Sequence, residues 1–101
     1  RIGINLKLLL EVLQSGAAYS RVMDHKGKRM IDAEFNPPQA RLAQHHKDVT
    51  LILKLAKQND TPTPLTTTHE KILNQALIAG LGDLDNSAVI QVLSTLMNND
   101  L

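Results

Sequence analysis

The feature that most constrains the fold is a long amphipathic stretch that follows a double proline, Pro37-Pro38. Its apolar residues recur every three or four positions and form one stripe on a helix: Leu42, Val49, Ile52, Leu53 and Ala56, widened by Leu51 and Leu55. The prolines break the preceding chain and preset the backbone for a new helix start. The pattern predicts the longest helix of the chain, from Gln39 to Asn59.

Four further helices are predicted from apolar spacing and cap residues. Their expected bounds are Leu6–Ser15, Ser20–Asp32, Leu65–Ala79 and a last helix that begins after a cap at Asp83 or Asp85. Asn5 is the expected N-cap of the first helix and Gly16 its stop. Gly27 weakens the second helix in its middle.

The composition supports a purely helical fold. The 101 residues fit one small domain, and 43% of them are apolar although only one Phe, one Tyr and no Trp are present. A core of Leu, Ile, Val, Ala and Met is typical of helical arrays, and no window alternates with the period of two that a strand would show. We therefore predict an all-α fold, a compact five-helix array in a single domain over residues 1–101.

The distribution of charged residues and the length of the apolar runs exclude two classes of partner. Eleven basic and ten acidic residues are interspersed, for a net charge of +1, and the one short basic cluster is Lys26, Lys28 and Arg29. We interpret this cluster as a solvated helix end, because nucleic-acid binding would require a basic face with stacking aromatics. No run reaches the roughly 20 apolar residues of a membrane span. We expect neither nucleic acid nor membrane as a partner.

The chain has no cysteine, which excludes disulfides and zinc-thiolate sites and fits a cytoplasmic protein. It begins at Arg1 without Met and shows no charged segment followed by an apolar segment, so a signal peptide is not predicted. This start leads us to expect a fragment of a longer protein.

Lys47 and Asp48 are the candidate site residues. Neighbours on a helix point about 100° apart, so one can reach a cleft while the other contacts a different partner. Taken alone, the pair is interpreted as a solvated helix face. His45 and His46 are adjacent and cannot chelate one ion from a helix, so they are polar surface or line a cleft, and we predict no metal site. The Ser15-Gly16 step is interpreted as helix termination.

Several strings in this order are similar to one known family. They are Asn5-Leu-Lys-Leu-Leu-Leu-Glu-Val-Leu13, Phe35 to Ala56 with its Lys47-Asp48 step, Pro62-Thr-Pro64-Leu65 and Gly80-Leu-Gly82-Asp83-Leu-Asp85-Asn-Ser87-Ala88. Together they resemble the C-terminal helical domain of the β-hydroxyacid dehydrogenases. That family includes 3-hydroxyisobutyrate dehydrogenase, tartronate semialdehyde reductase and, more distantly, 6-phosphogluconate dehydrogenase.

The resemblance implies an oxidoreductase that uses NAD or NADP, bound mainly by a Rossmann domain outside these residues. It implies that Lys47 reaches the dinucleotide near its nicotinamide ribose, that Asp48 lies close to the substrate, and that Ser15-Gly16 lies near the cleft. The implied substrate is a small hydroxyacid or semialdehyde, and the implied assembly is a homo-oligomer.

The chain departs from the family pattern in three ways. It has no Gly-x-Gly-x-x-Gly turn, and the family's catalytic lysine, with an asparagine four residues later, is expected on a helix before Arg1. Ala40 stands where many members have a Phe, seven residues before Lys47. We expect the segment alone to be inactive. A stand-alone helical interaction module without catalysis is the alternative.

Overall fold

The structure, a computed structural model, describes residues 3–99, and these residues form five α-helices. Their bounds are α1 Leu6–Ser15, α2 Lys28–Asp32, α3 Leu42–Gln58, α4 Pro64–Ile78 and α5 Val89–Asn99. A π-helical turn, Met23–Gly27, runs into α2, and a 3-10 turn, Asn86–Ala88, runs into α5. Residues 3–99 contain no strand, only an isolated bridge between Arg41 and Asp85. The all-α prediction is confirmed.

The core lies where α3, α4 and α5 meet. It consists of small and aliphatic side chains with a single aromatic ring: Phe35, Leu42, Val49, Leu73, Ala76, Ala88 and Val92. Burial of apolar surface is the main force that holds such an array together, at about 25 cal/mol per Å². The apolar stripe predicted for the long helix supplies two of these residues, Leu42 and Val49, to the core.

α1 lies on the outside of this core. Its predicted caps are confirmed, because Asn5 Oδ1 accepts a hydrogen bond from the Leu8 backbone N–H at 3.2 Å and Gly16 ends the helix. α1 packs on the π-turn and α2. At Gly27 an added Cβ would lie 2.6 Å from Leu10 Cδ1, so the glycine that the sequence marks as a weak point permits this close packing. The described part of α1 holds no buried residue.

The second helix differs from its predicted form. Ser20 makes no side-chain cap; its carbonyl oxygen instead accepts from the Met23 backbone N–H at 3.0 Å, and a π-turn follows. The helix ends at Asp32, and the next residue, Ala33, takes a left-handed conformation with φ of 53°. Apolar spacing cannot reveal a π-turn, because the extra residue per turn shifts the register only locally.

The long helix begins at Leu42, three residues after the predicted start at Gln39. The first amides of α3 are satisfied from across the fold, with Leu42 N–H donating to the Leu84 carbonyl and Ala43 N–H to that of Gly82, both at 2.9 Å. These bonds replace a side-chain cap. Residues before Leu42 are held extended by the partners described below.

Among the described residues no helix is long and apolar enough to cross a bilayer.

Candidate functional site

A buried carboxylate, Asp85, organises the region where α3 begins. Asp85 is 0% exposed. Its Oδ1 accepts from the backbone N–H of Gln39 at 2.8 Å and of Ala40 at 3.2 Å, and its Oδ2 accepts from the backbone N–H of Ser87 at 3.0 Å and from the Ser87 hydroxyl. The Lys26 ammonium donates to both oxygens, at 2.9 and 3.0 Å. We call these five residues the Asp85 network.

Burial by itself would raise the pKa of the Asp85 carboxyl, because a charge in a desolvated site is costly. Hydrogen bonds from Ser87, Lys26 and Gln39 outweigh that effect and hold the pKa well below its ordinary range. Asp85 is therefore ionised at neutral pH. An ionised carboxylate offers only acceptors, which suits a position surrounded by donors.

The short basic cluster is divided between surface and interior, so its interpretation as a solvated helix end is wrong for two residues. The side chains of Lys26 and Arg29 are 16% and 18% exposed, and Arg29 Nη1 lies 3.7 Å from Asp85 Oδ1. Arg29 also donates to the Pro37 carbonyl oxygen at 2.9 Å. The sequence does not show this, because the carboxylate they face is nearly 60 positions away. Lys28 is exposed, as expected.

Beside the Asp85 network lies an apolar cavity of about 460 Å³. Its walls come from α1, the π-turn and α4, and its polar rim comprises Lys26, His45, His69, Asn86 and Ser87. Asn86 Oδ1 is buried without a hydrogen-bond partner within residues 3–99. The ring of His45 on α3 lies next to the ring of His69 on α4, with centroids 5.2 Å apart and planes tilted by 55°.

Burial lowers the pKa of His45, and the neighbouring His69 and Lys26 lower it further, while Asp48 opposes the shift. His45 is therefore neutral at pH 7. The next histidine, His46, pairs instead with Glu70 of α4, with Nε2 and Oε2 2.8 Å apart. Both histidines thus join α3 to α4, which favours the cleft-lining interpretation for His45. Among residues 3–99, no three His, Asp or Glu side chains group to hold a metal ion.

Lys47 and Asp48, the predicted site residues, are both exposed in the first half of α3. Asp48 Oδ1 accepts from Gln44 Nε2 at 3.3 Å. His45 and Lys47 are two residues apart, which is about 200° around the helix. Lys47 therefore projects from the side of α3 opposite to the cavity that His45 lines. The structure does not bring Lys47 and the cavity together.

Two other motifs have the local roles expected of them. The Ser15 hydroxyl donates to the Val12 carbonyl oxygen at 2.9 Å at the exposed end of α1, where Gly16 terminates the helix. Asp85 caps the turn that leads into α5, as one of the two predicted caps. The cap predicted at Asp85 is the part of the buried network that the sequence indicated.

Almost the whole chain matches one protein family and several known proteins. The family described as "NAD-binding of NADP-dependent 3-hydroxyisobutyrate dehydrogenase" matches residues 1–93. The chain is 36% identical over 91 residues to 2-hydroxy-3-oxopropionate reductase of Escherichia coli K12, covering 90% of this chain and 31% of the reductase. It is also 36% identical over 89 residues to the cytokine-like nuclear factor N-PAC of Aedes aegypti, covering 88% of this chain and 16% of that protein.

A solved structure shows the same architecture. The crystal structure of 3-hydroxyisobutyrate dehydrogenase from Salmonella typhimurium superposes with a TM-score of 0.84 at 29% identity, covering 89% of this chain and 31% of that one. The chain thus spans less than a third of the length of these relatives.

Proposed function

Because this chain belongs to the NAD-binding family of NADP-dependent 3-hydroxyisobutyrate dehydrogenase, we propose that it is the C-terminal helical domain of an NAD(P)-dependent β-hydroxyacid dehydrogenase. The complete enzyme transfers hydride between the nicotinamide and a small hydroxyacid or semialdehyde. The observation that carries this proposal is the family match over almost the entire chain. The names of the reductase and dehydrogenase relatives support the reaction class.

In this proposal the dinucleotide is held mainly by a Rossmann domain, and the helical domain closes the cleft over it. Lys47 supplies the contact near the nicotinamide ribose, because an ammonium is a compact cation with three donors that can bond hydroxyls and offset phosphate charge. Its exposure on α3 leaves the ammonium accessible to another domain. Asp48, also exposed and about 100° around the helix, lies toward the substrate.

The cofactor contact is tested with Lys47→Ala in the complete enzyme. Loss of a charge-assisted hydrogen bond costs about 1.5–3 kcal/mol, so the dissociation constant of NADH or NADPH is expected to rise about 10- to 150-fold. Fluorescence titration of the reduced cofactor measures it.

Lys54→Ala is the matched control, because Lys54 is also exposed on α3 but lies two turns further along the helix, outside the matched Lys-Asp step. A change within about 0.5 kcal/mol is expected there, as for an ordinary surface substitution. Equal affinities of the two variants, both near that of the wild type, would remove Lys47 from the site.

The relative named as a nuclear factor favours a second candidate, a helical interaction module without catalysis. Its name describes no dehydrogenase, although its identity to this chain equals that of the reductase. Nicotinamide absorbance with the complete protein and a panel of hydroxyacids and semialdehydes separates the two candidates. Turnover supports the dehydrogenase, whereas a protein that binds neither NADH nor NADPH supports the interaction module.

A further inference from the structure

The Asp85 network joins three stretches of chain at the beginning of α3. Lys26 belongs to the π-turn, Gln39 and Ala40 to the extended segment before α3, and Ser87 to the turn before α5. One carboxylate accepts hydrogen bonds from all of them. A shift of any one stretch therefore disturbs the others through Asp85.

Backbone hydrogen bonds extend this junction to the helix itself. The Asn86 N–H donates to the Ala40 carbonyl oxygen at 2.7 Å, and Asp85 N–H donates to that of Phe35 at 2.9 Å. Together with the bonds of Leu42 and Ala43 to the loop before Asp85, they fix where α3 starts and how it is rotated. Lys47 follows Leu42 by five residues, or about 7.5 Å along a helix that rises 1.5 Å per residue.

We propose that Asp85, held by Lys26, is a positioning residue for the cofactor contact of Lys47. This inference rests on the proposed function, since it presumes that Lys47 touches the dinucleotide. Asp85 is fully buried and so acts through α3 rather than on the cofactor directly. Its loss is expected to displace Lys47 while the core residues of α3 and α4 stay packed.

Asp85→Asn is the informative substitution because it preserves volume while it removes the charge. A carboxamide has one acceptor oxygen and one NH₂ donor. Since both Asp85 oxygens are surrounded by donors, the NH₂ must face a donor wherever it points. Lys26→Met is the second variant, because it keeps the apolar stem of Lys26 and leaves the bonds from Gln39 and Ala40 to Asp85 in place.

The test is a double-mutant cycle in the complete enzyme, with the dissociation constants of NADH and NADPH measured by fluorescence titration. Asp85→Asn is expected to weaken cofactor binding about 5-fold or more when Lys47 is present, and less than about twofold in the Lys47→Ala background, because residues that act as a unit are not additive. The KM for the cofactor is expected to rise while kcat at saturating cofactor is retained. Lys26→Met is expected to show the same pattern and replaces Asp85→Asn if that variant does not fold.

Asp83→Asn is the matched control, since Asp83 stands two residues away and forms an exposed ion pair with Arg41, with Nη2 and Oδ1 2.9 Å apart. It is expected to leave cofactor affinity unchanged. Additive effects of Asp85→Asn and Lys47→Ala would overturn the positioning role and leave the proposed function intact. A fall in Tm without change in cofactor affinity would also overturn it. If Lys47→Ala itself has no effect, both the contact and the positioning role are wrong.

Discussion

Among single residues, His45 gives the clearest dependence on pH. Its pKa is lowered by burial and by two neighbours, His69 on α4 and Lys26 in the π-turn, with Asp48 on its own helix opposing them. A group whose pKa is lower in the folded than in the unfolded state binds fewer protons when folded. Its contribution to stability is therefore complete above a pH of about 6.5, the unfolded pKa, and is lost as the pH falls below that value.

We expect the free energy of unfolding to decrease between pH 7.5 and pH 5.5, and His45→Gln to flatten that decrease. Urea denaturation at a series of pH values measures it. His25→Gln, at an exposed histidine of the π-turn, is the control and should leave the slope unchanged. An identical slope in wild type and His45→Gln would contradict the role of His45.

Individual residues of the site differ in how far the sequence alone predicts their roles. The Asn5 cap could be predicted because its partner Leu8 is three positions away. Asp85 could be predicted as a cap for the same reason, but its partners Gln39 and Lys26 are 46 and 59 positions distant. Whether Lys26 is solvated or buried depends on that long-range pairing, which one sequence does not contain. Lys47 and Asp48 were found through family resemblance, and their roles remain predictions.

Among the helices, α4 holds the core together by packing between α3 and α5. Leu73 on α4 is 0% exposed, and α4 packs against both α3 and α5. Leu73→Ala is expected to lower the free energy of unfolding by about 2–5 kcal/mol, because it removes buried methyl groups and leaves a cavity. Chemical denaturation measures the loss.

Leu65→Ala on the same helix is the control, because Leu65 is 86% exposed. Its effect is expected within about 0.5 kcal/mol. A loss at Leu65 as large as that at Leu73 would contradict the exposed position of Leu65.

The sequence predicted the five α-helices but not the π-turn before α2 or the 3-10 turn before α5. The predicted bounds were wrong where tertiary partners compete with the helix. The segment from Gln39 to Arg41 has no residue that forbids a helix. Asp85 and Asn86 occupy its backbone groups and keep it extended. α4 begins at Pro64, within one residue of its predicted start, because a proline determines that start locally.

For the whole molecule, the position of α1 outside the core has the largest consequence. The radius of gyration is 15.0 Å, against about 13 Å for a typical domain of 100 residues. Apolar side chains remain exposed along α1: Leu6, Leu8, Leu9, Val12 and Leu13. A contiguous apolar patch beyond a few hundred Å² commonly marks an interaction surface.

We therefore predict that the chain self-associates, as the family resemblance also implies. Sedimentation at increasing concentration is expected to show a growing mean mass, and Leu8→Lys with Val12→Lys to reduce it, because these exposed side chains lie one turn apart on α1. Leu65→Lys, at an exposed leucine of α4, controls for added charge. A monomer at all concentrations would count against the prediction.

The Asp85 network also has a consequence for the order of folding. Lys26 and Gln39 lie far along the chain from Asp85, so in an unfolded chain the carboxylate has only its local partner Ser87. Closing such long loops costs entropy before the contacts can compensate for it. We therefore expect the junction to form late, after the separate helices have docked. Interactions absent from the transition state slow unfolding without hastening folding, so we expect this carboxylate to lengthen the lifetime of the native state rather than to guide the chain toward it.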